Sequence, residues 1–207
     1  MLITNYKILN RFAKKGQILF VGSSLMEQFP IHEMQHTLAL ERIIYNRGIG
    51  GFVTADLLQH MEVCIFELEP TKMFINIGTN DIASADGDYS LSRLVSNYDN
   101  ILTQISGRLS NCKVYVMAYY PVNADADFPG IDVAQKSLLF KTRTNSAIRE
   151  ANEAIEELAL QHGCEFIDVN EGLFDEQGNL RAEYSVDGIH MWANGYAVIL
   201  GNLLKYL

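Results

Sequence analysis

The stretch ILFVGSSLMEQ, residues 18–28, decides the fold that we predict for this chain. Its first four residues form an unbroken apolar run, which is typical of a strand buried on both faces of a parallel sheet. Gly22 ends this run, and after Ser23 and Ser24 the apolar pattern becomes that of a helix. The stretch therefore predicts a strand, a sharp turn and a helix. In open α/β folds such turns lie at the carboxyl edge of the sheet, where ligands bind.

The remainder of the chain alternates in the same way between short apolar runs and amphipathic segments. Further strands are predicted at 43–45, 73–77, 114–118 and 165–169, and helices at 4–15, 53–65, 91–109, 144–160 and 193–207. Strands separated by helices need crossover connections, so we expect an α/β fold with a five-stranded, mostly parallel sheet. Because no linker or repeat is visible, residues 1–207 are predicted to form a single domain.

The sequence makes more detailed predictions for the first helix, for residues 119–132 and for four aromatic residues. In the first predicted helix, Leu9, Phe12 and Ala13 are spaced to face the core. Residues 119–132 are acidic and hold two of the four prolines, which predicts a long loop. Four aromatic residues are either candidate walls of a substrate site or plain packing: Tyr119, Tyr120, Phe128 and Trp192.

The composition bounds the class of protein and its partners. Hydrophobic residues make up 48% and charged residues 20% of the chain, as in an ordinary globular protein. The net charge is −9 and no basic stripe is present, which argues against nucleic acid as a partner. No apolar run is long enough for a membrane span. A small molecule is therefore the expected substrate, and a homo-oligomer remains possible.

The cysteines indicate the compartment. Cys64, Cys112 and Cys164 are odd in number and far apart, which fits neither a disulfide framework nor a metal cluster. The first 17 residues lack the cleavage-site pattern of a signal peptide. We therefore expect unpaired thiols in a reducing compartment, the cytoplasm.

Four loops at one edge of the predicted sheet hold the residue types that acyl transfer to a serine requires. Ser24 follows the first strand, Gly51 ends NRGIGG after the second, Asn80 lies in GTND after the third, and Asp187 and His190 lie in DGIH before the last helix. A serine hydroxyl needs a base to take its proton, and a histidine can do so at neutral pH. Asp187 is close enough in sequence to hold the imidazole in one tautomer.

The negative oxygen of a tetrahedral intermediate needs hydrogen-bond donors aimed at it. The backbone N–H of Ser24 lies at a predicted helix start, where N–H groups have no partner within the helix. The backbone N–H of Gly51 has no side chain to obstruct it, and Asn80 offers a carboxamide. These three groups form the predicted oxyanion hole.

The blocks VGSSL, NRGIGG, GTND and DGIH resemble, in this order, the four signature blocks of the SGNH hydrolases, also called GDSL-type esterases and lipases. Within that family the chain is most similar to the single-domain group of platelet-activating-factor acetylhydrolase. The resemblance spans residues 18–196. It implies a flavodoxin-like three-layer α/β/α sandwich and an esterase that cleaves small or short-acyl, acetyl-type esters without metal or other cofactor.

The motif match also implies a role for each site residue. Ser24 corresponds to the nucleophile, Asp187 and His190 to its triad partners, and Ser24, Gly51 and Asn80 to the oxyanion hole. Ser23 departs from the family pattern, which usually has aspartate at this position. The departure bears on the stiffness of the turn and leaves the choice between the two serines to sequence register alone.

Two other functions compete with the esterase. His32, Glu33 and His36 match H-E-x-x-H, the zinc motif in which two histidines one helical turn apart bind the metal and the glutamate activates water. No third ligand stands out nearby, and the match is short. The other alternative is a carbohydrate- or ester-binding module that keeps the fold and has lost turnover. Only the unusual Ser23 supports it.

We predict that Ser24→Ala abolishes hydrolysis of p-nitrophenyl acetate, because it removes the attacking oxygen, with a loss of about 10³-fold or more in kcat. Ser23→Ala is the matched control and should keep a measurable part of the activity. The opposite pattern would move the nucleophile to Ser23.

Overall fold

A five-stranded sheet forms the centre of the structure, a computed structural model that describes residues 1–83 and 88–207. Its strands are β1 (Ile18–Gly22), β2 (Ile44–Asn46), β3 (Lys72–Asn76), β4 (Lys113–Met117) and β5 (Glu165–Ile167). All four strand pairings are parallel, and the order across the sheet is β2-β1-β3-β4-β5. This order is that of flavodoxin-like folds, so the predicted parallel sheet is confirmed.

Helices cover both faces of the sheet. They are α1 (Leu2–Asn10), α2 (Ser24–Glu27), α3 (Ile31–Thr37), α4 (Thr54–Cys64), α5 (Thr79–Ile82), α6 (Leu91–Arg108), α7 (Val133–Leu139), α8 (Asn145–Gln161) and α9 (Ala193–Leu203). Helices α1, α4, α6 and α8 share a core with one face, and α3 and α9 share a core with the other. The predicted three-layer α/β/α sandwich is therefore confirmed.

Strand β1 lies between β2 and β3 in the sheet and contributes to both cores. Leu19 and Val21 point into the core under α4 and α6, whereas Ile18 and Phe20 point into the core under α9. Successive strand residues face opposite sides of a sheet, so a strand covered on both sides must be apolar throughout. This is why the sequence of β1 shows an unbroken apolar run.

The first helix differs from its prediction. It ends at Asn10, and Leu9 and Phe12 are 44% and 83% exposed, while Ala13 is only partly buried. Tyr6 and Asn10 face the interior instead. The hydroxyl of Tyr6 donates to a backbone oxygen 2.8 Å away in the loop after β2, and the carboxamide of Asn10 donates across to the end of α4. Polar side chains with such partners can be buried, and a pattern of apolar residues does not reveal them.

Residues 119–132 form a loop without helix or strand, as predicted, but helix α7 directly after it is missing from the prediction. Asp132 begins α7 with a capping box: its carboxylate accepts from the amide of Gln135 at 2.8 Å, and the Gln135 carboxamide oxygen accepts from the amide of Asp132 at 2.9 Å. None of the α7 side chains is buried, so the helix has no apolar stripe to reveal it.

Within the two described ranges, no helix combines the length and the apolar character needed to cross a membrane.

The turn before α9 depends on a glycine. Gly188 has φ +89°, and a Cβ built on it would lie 2.3 Å from the backbone oxygen of Asn123. The amide of Asn123 also donates to the backbone oxygen of Gly188 at 2.8 Å, so the two backbones are in close contact. Any side chain at this position must therefore push the turn away from the loop after β4.

We expect Gly188→Ala to lower the free energy of unfolding by about 2–4 kcal/mol, because it combines an unfavourable φ with a steric clash. Gly178→Ala is the matched control, since Gly178 has φ +82° but open space around a Cβ. It should cost only about 1 kcal/mol. Urea unfolding measures the free energy of unfolding of the two variants. Equal losses in the two would show that the fold relieves the clash at Gly188 without a cost in stability.

Candidate active site

The turn between β1 and α2 separates the roles of two adjacent serines. Ser23 is the N-cap residue, and its backbone oxygen accepts from the amides of Met26 and Glu27 at 3.1 and 2.9 Å. Its side chain is turned inward, 1% exposed, with a hydroxyl that has no partner among the residues described. Ser24 is partly exposed, and its Oγ lies 2.8 Å from Nε2 of His190. Of the two serines, Ser24 is the one that faces the histidine.

A chain of hydrogen bonds continues from His190 to Asp187. His190 Nδ1 lies 2.6 Å from Asp187 Oδ2, and Asp187 Oδ1 accepts from the amides of Ile189 and His190 at 2.9 and 2.7 Å. A carboxylate can only accept, so Nδ1 carries the imidazole proton and Nε2 is left to accept from the Ser24 hydroxyl. The three predicted triad residues are therefore brought together with the tautomer that a general base requires.

The surroundings of Asp187 favour its ionised form. Burial by itself would raise the pKa of Asp187, but hydrogen bonds from the side chain and amide of His190, with the amide of Ile189, lower it below the ordinary carboxyl value. The carboxylate consequently remains negatively charged beside the imidazole and can stabilise an imidazolium.

The DGIH turn is tied to itself as well as to the neighbouring loop. Ser185 Oγ accepts from the amide of Gly188 at 2.7 Å and donates to the backbone oxygen of His190 at 3.0 Å. The amide of Val186 donates to that same oxygen at 2.8 Å. These bonds fix the backbone on both sides of the carboxylate and the imidazole. The side chains need little reorientation before reaction, which lowers the entropic part of the barrier.

The loop NRGIGG after β2 is docked directly on α2. Asn46 donates from Nδ2 to the backbone oxygen of Met26 at 2.6 Å, and its Oδ1 accepts from the amide of Gly48 at 2.9 Å. A Cβ on Gly48 would lie 2.2 Å from the amide nitrogen of Glu27, so only glycine permits this approach. The carboxylate of Glu27 accepts from the amide of Gly50 at 2.5 Å. The loop therefore carries its last residue, the predicted oxyanion donor, past Ser24.

The GTND segment closes the other side of the site. Asn80 Nδ2 donates to the backbone oxygen of Phe52 at 3.0 Å. The carboxylate of Asp81 accepts from the amide and the hydroxyl of Thr54 at 2.9 and 2.5 Å. Burial raises the pKa of Asp81, although its bonds to Thr54 oppose this shift. Both contacts join α5 to the start of α4, which holds Asn80 beside the end of the glycine-rich loop.

The three predicted oxyanion donors thus lie on segments that are held together. In the part of the chain that the structure describes, the amides of Ser24 and Gly51 donate to no protein acceptor. Asn80 uses one of its two Nδ2 protons on Phe52, which leaves the other for a ligand. The five residues predicted for the site therefore lie at the carboxyl edge of the sheet, Ser24 and Asn80 in the first turns of α2 and α5 and the other three on loops.

Several polar residues at the site escaped the sequence prediction. Glu27, Asn46 and Asp81 each hold one of the site segments, and the last two lie inside the motifs that we had identified. Arg143 contacts Asn80 at 2.8 Å, and it lies in the loop between α7 and α8, outside the motifs. Its position relative to the site depends on tertiary structure alone.

The candidate aromatic walls divide into two groups. Tyr119 and Tyr120 are fully buried, and Phe128 is buried against Gly188, so these three are core packing. Of the two readings left open by the sequence, the structure favours packing for these three, because the loop after β4 turns their rings inward. Trp192 is 56% exposed just before α9 and stays a candidate wall.

The H-E-x-x-H residues lie on the short helix α3. His32 Nε2 is 2.9 Å from the backbone oxygen of Ile44, and a carbonyl can only accept, so this nitrogen carries a proton and has no lone pair for a metal. Over residues 1–83 and 88–207, no three His, Cys, Asp or Glu side chains are grouped so that they could hold a metal ion.

Comparison with solved structures finds close matches over nearly the whole chain. A Streptococcus pneumonia protein, named provisionally as a platelet activating factor, is 28% identical, and the match covers 99% of this chain and 90% of that one with a TM-score of 0.85. A GDSL-like lipase from Bacteroides thetaiotaomicron has the same fold, with 20% identity, coverage of 99% and 96%, and a TM-score of 0.78.

A relative found by sequence is longer than this chain. The N-acylneuraminate cytidylyltransferase of Escherichia coli O18:K1:H7 is 25% identical over 191 residues, which are 92% of this chain and 40% of that protein. The chain spans about two-fifths of the length of this relative, so the match concerns one part of it.

The family model of the GDSL-like lipases and acylhydrolases matches residues 20–198, a span that includes every residue of the site described above. The fold and the matched structures agree with it. The chain belongs to the GDSL-like lipase/acylhydrolase family.

Proposed function

We propose that this protein is a serine esterase that cleaves small or short-acyl, acetyl-type carboxylic esters through an acyl-enzyme on Ser24. The observation that carries the proposal is the chain of hydrogen bonds from Asp187 through His190 to Ser24. A hydroxyl bonded to the free nitrogen of a neutral imidazole can lose its proton as it attacks a carbonyl carbon. Family membership supplies the reaction class, and this geometry supports the role of each side chain.

In the first half of the reaction, Ser24 Oγ forms a bond to the ester carbonyl carbon, and His190 Nε2 takes the hydroxyl proton. Asp187 stabilises the imidazolium by its charge and does not take the proton itself. The negative oxygen that develops accepts hydrogen bonds from the amides of Ser24 and Gly51 and from the carboxamide of Asn80. The bond to the alcohol oxygen then breaks, and His190 gives its proton to the departing alcohol.

In the second half, a water molecule replaces the alcohol. His190 takes a proton from the water as its oxygen attacks the acyl carbon, and the same three donors stabilise the second tetrahedral intermediate. The bond to Ser24 Oγ breaks, the serine regains a proton from His190, and the free acid leaves. Hydrolysis is therefore complete without any group beyond the side chains and backbone of this chain and one water molecule.

The proposed substrate is a small-molecule ester, since the resemblance of the four sequence blocks implies short acyl groups and the net charge of −9 disfavours nucleic acid. We place the reaction in the cytoplasm. The three cysteines, all unpaired in the structure, support a reducing compartment.

The experiment that tests the proposal is labelling with a fluorophosphonate, which reacts with activated serines. We expect one label per chain, mapped by mass spectrometry of peptides to Ser24, and loss of the label in His190→Ala, because the hydroxyl then has no base. Ser23→Ala should still be labelled.

A folded wild-type protein that takes no label would contradict the serine esterase and favour the binding module. Hydrolysis that persists without labelling and stops on chelation of zinc would favour the H-E-x-x-H alternative. Label on Ser23 would reassign the nucleophile.

Asp187→Asn tests two effects of the Asp187 charge, one on turnover and one on the stability of the fold. The variant should lower kcat by about 10³–10⁴-fold, since the imidazole loses its orienting partner and counter-charge.

The lowered pKa of Asp187 means that its ionised form stabilises the folded state above about pH 4. This stabilisation is lost as the pH falls through the lowered pKa. In urea unfolding, the stability deficit of the variant should therefore be largest near neutral pH and should shrink below about pH 4.

Asp127→Asn is the control, because the side chain of Asp127 is fully exposed beside Lys136. Activity and the pH dependence of stability should stay at wild-type values in this variant. A deficit of Asp187→Asn that does not change with pH would contradict the proposed electrostatic origin.

A further inference from the structure

Arg143 lies directly before Thr144, the N-cap of α8, and is only 6% exposed. Its guanidinium donates from Nη2 to Oδ1 of Asn80 at 2.8 Å and from Nε to the backbone oxygen of Thr79 at 3.2 Å. We propose that Arg143 is a positioning residue that holds the Asn80 carboxamide with its N–H group directed at the oxyanion. The inference rests on the proposed function, in which Asn80 is an oxyanion donor.

The hydrogen-bond chemistry of the two side chains fixes the orientation of the carboxamide. A guanidinium has only donors, so the atom of Asn80 beside Arg143 must be its oxygen. The amide nitrogen then points to the opposite side, where one N–H donates to the oxygen of Phe52 at 3.0 Å. Rotating the carboxamide by half a turn would oppose donor to donor at Arg143 and oxygen to oxygen at Phe52. The second N–H is thereby kept available for the ligand.

The backbone that carries Arg143 is itself fixed. The carboxamide of Asn145 accepts from the amide of Val122 and donates to its backbone oxygen, both at 2.9 Å, and Thr144 Oγ1 caps the amide of Ala147 at 3.1 Å. The guanidinium therefore reaches α5 from a separate and well-anchored part of the fold. Such support keeps the orientation of a catalytic side chain within the small range that efficient reaction needs.

The guanidinium of Arg143 is a buried positive charge. Over the residues that the structure describes, it makes no ion pair. Burial lowers the pKa of Arg143, while the charge of Asp187 raises it, and an arginine remains cationic in either case. A buried cation without an ion pair costs folding free energy. Next to an oxyanion donor, however, the same positive charge favours the negative charge that develops in the transition state.

The test is Arg143→Met, which keeps much of the side-chain length and removes the donors and the charge. We expect kcat for p-nitrophenyl acetate to fall about 10- to 100-fold while KM changes less than about threefold, because the loss affects the transition state more than substrate binding. Arg149→Met is the matched control: Arg149 is exposed on α8, and its loss should leave both constants unchanged.

A double-mutant cycle with Asn80→Ala shows whether Arg143 acts through Asn80. If it does, Arg143→Met should lower kcat by less than about threefold once the carboxamide is absent. Equal losses in the two backgrounds would overturn the proposal and leave Arg143 a structural residue.

Two further measurements cover the case in which Arg143→Met folds poorly. Arg143→Lys keeps a charge but not the planar fork, and it should recover part of the activity. Added guanidinium ion should restore turnover in Arg143→Ala but not in Asn80→Ala. No recovery in either measurement, with folded protein confirmed by circular dichroism, would contradict the positioning role.

The fluorophosphonate separates this inference from the proposed function. A wild-type protein without label would contradict the serine esterase itself. A wild-type protein that is labelled, with Arg143→Met labelled at the same rate, would contradict only the role of Arg143.

Discussion

The hydrogen bond between Ser24 Oγ and His190 Nε2 joins residues 166 positions apart, and the proposed chemistry depends on its length of 2.8 Å. The serine is placed by the end of β1, an inner strand of the sheet, whereas the histidine is placed by a turn before the last helix. Parallel strands with right-handed crossovers bring both to one edge. The sheet therefore serves as a rigid frame that fixes the distance between two loops.

Polar contacts hold the segments of the site together. The loop after β2 is attached to α2 through Asn46 and Glu27, and α5 is attached to α4 through Asn80 and Asp81. Each of these side chains pairs with a backbone group, and where that group is buried the pairing matters because an unpaired buried amide or carbonyl costs about 1–3 kcal/mol. Since hydrogen bonds are directional, these contacts fix orientation as well as distance, and a site that binds a transition state needs both.

Two charges of opposite sign support the proposed reaction. Asp187 is negative and faces the histidine that becomes positive, and Arg143 is positive and faces the carboxamide assigned to the negative oxygen. Each charge therefore has the sign that opposes the charge developing closest to it. In a partly buried site such an arrangement is stronger than in water, since fewer solvent dipoles compete with it.

The sequence by itself determined the parallel sheet, the loops at its edge and the five residues assigned to the site. These follow from patterns that are local in the chain. They are an apolar run long enough for a buried strand, glycines where the backbone approaches another segment closely, and short motifs at strand ends. It did not reveal helix α7, the inward side of the first helix, or Arg143. The α7 side chains are not buried, Tyr6 and Asn10 are buried through polar contacts, and Arg143 meets Asn80 from 63 positions away. Only the tertiary structure decided the last two features, because each depends on a partner that is distant along the chain, whereas the capping box of Asp132 and Gln135 is a local signal for α7 that apolar periodicity does not detect.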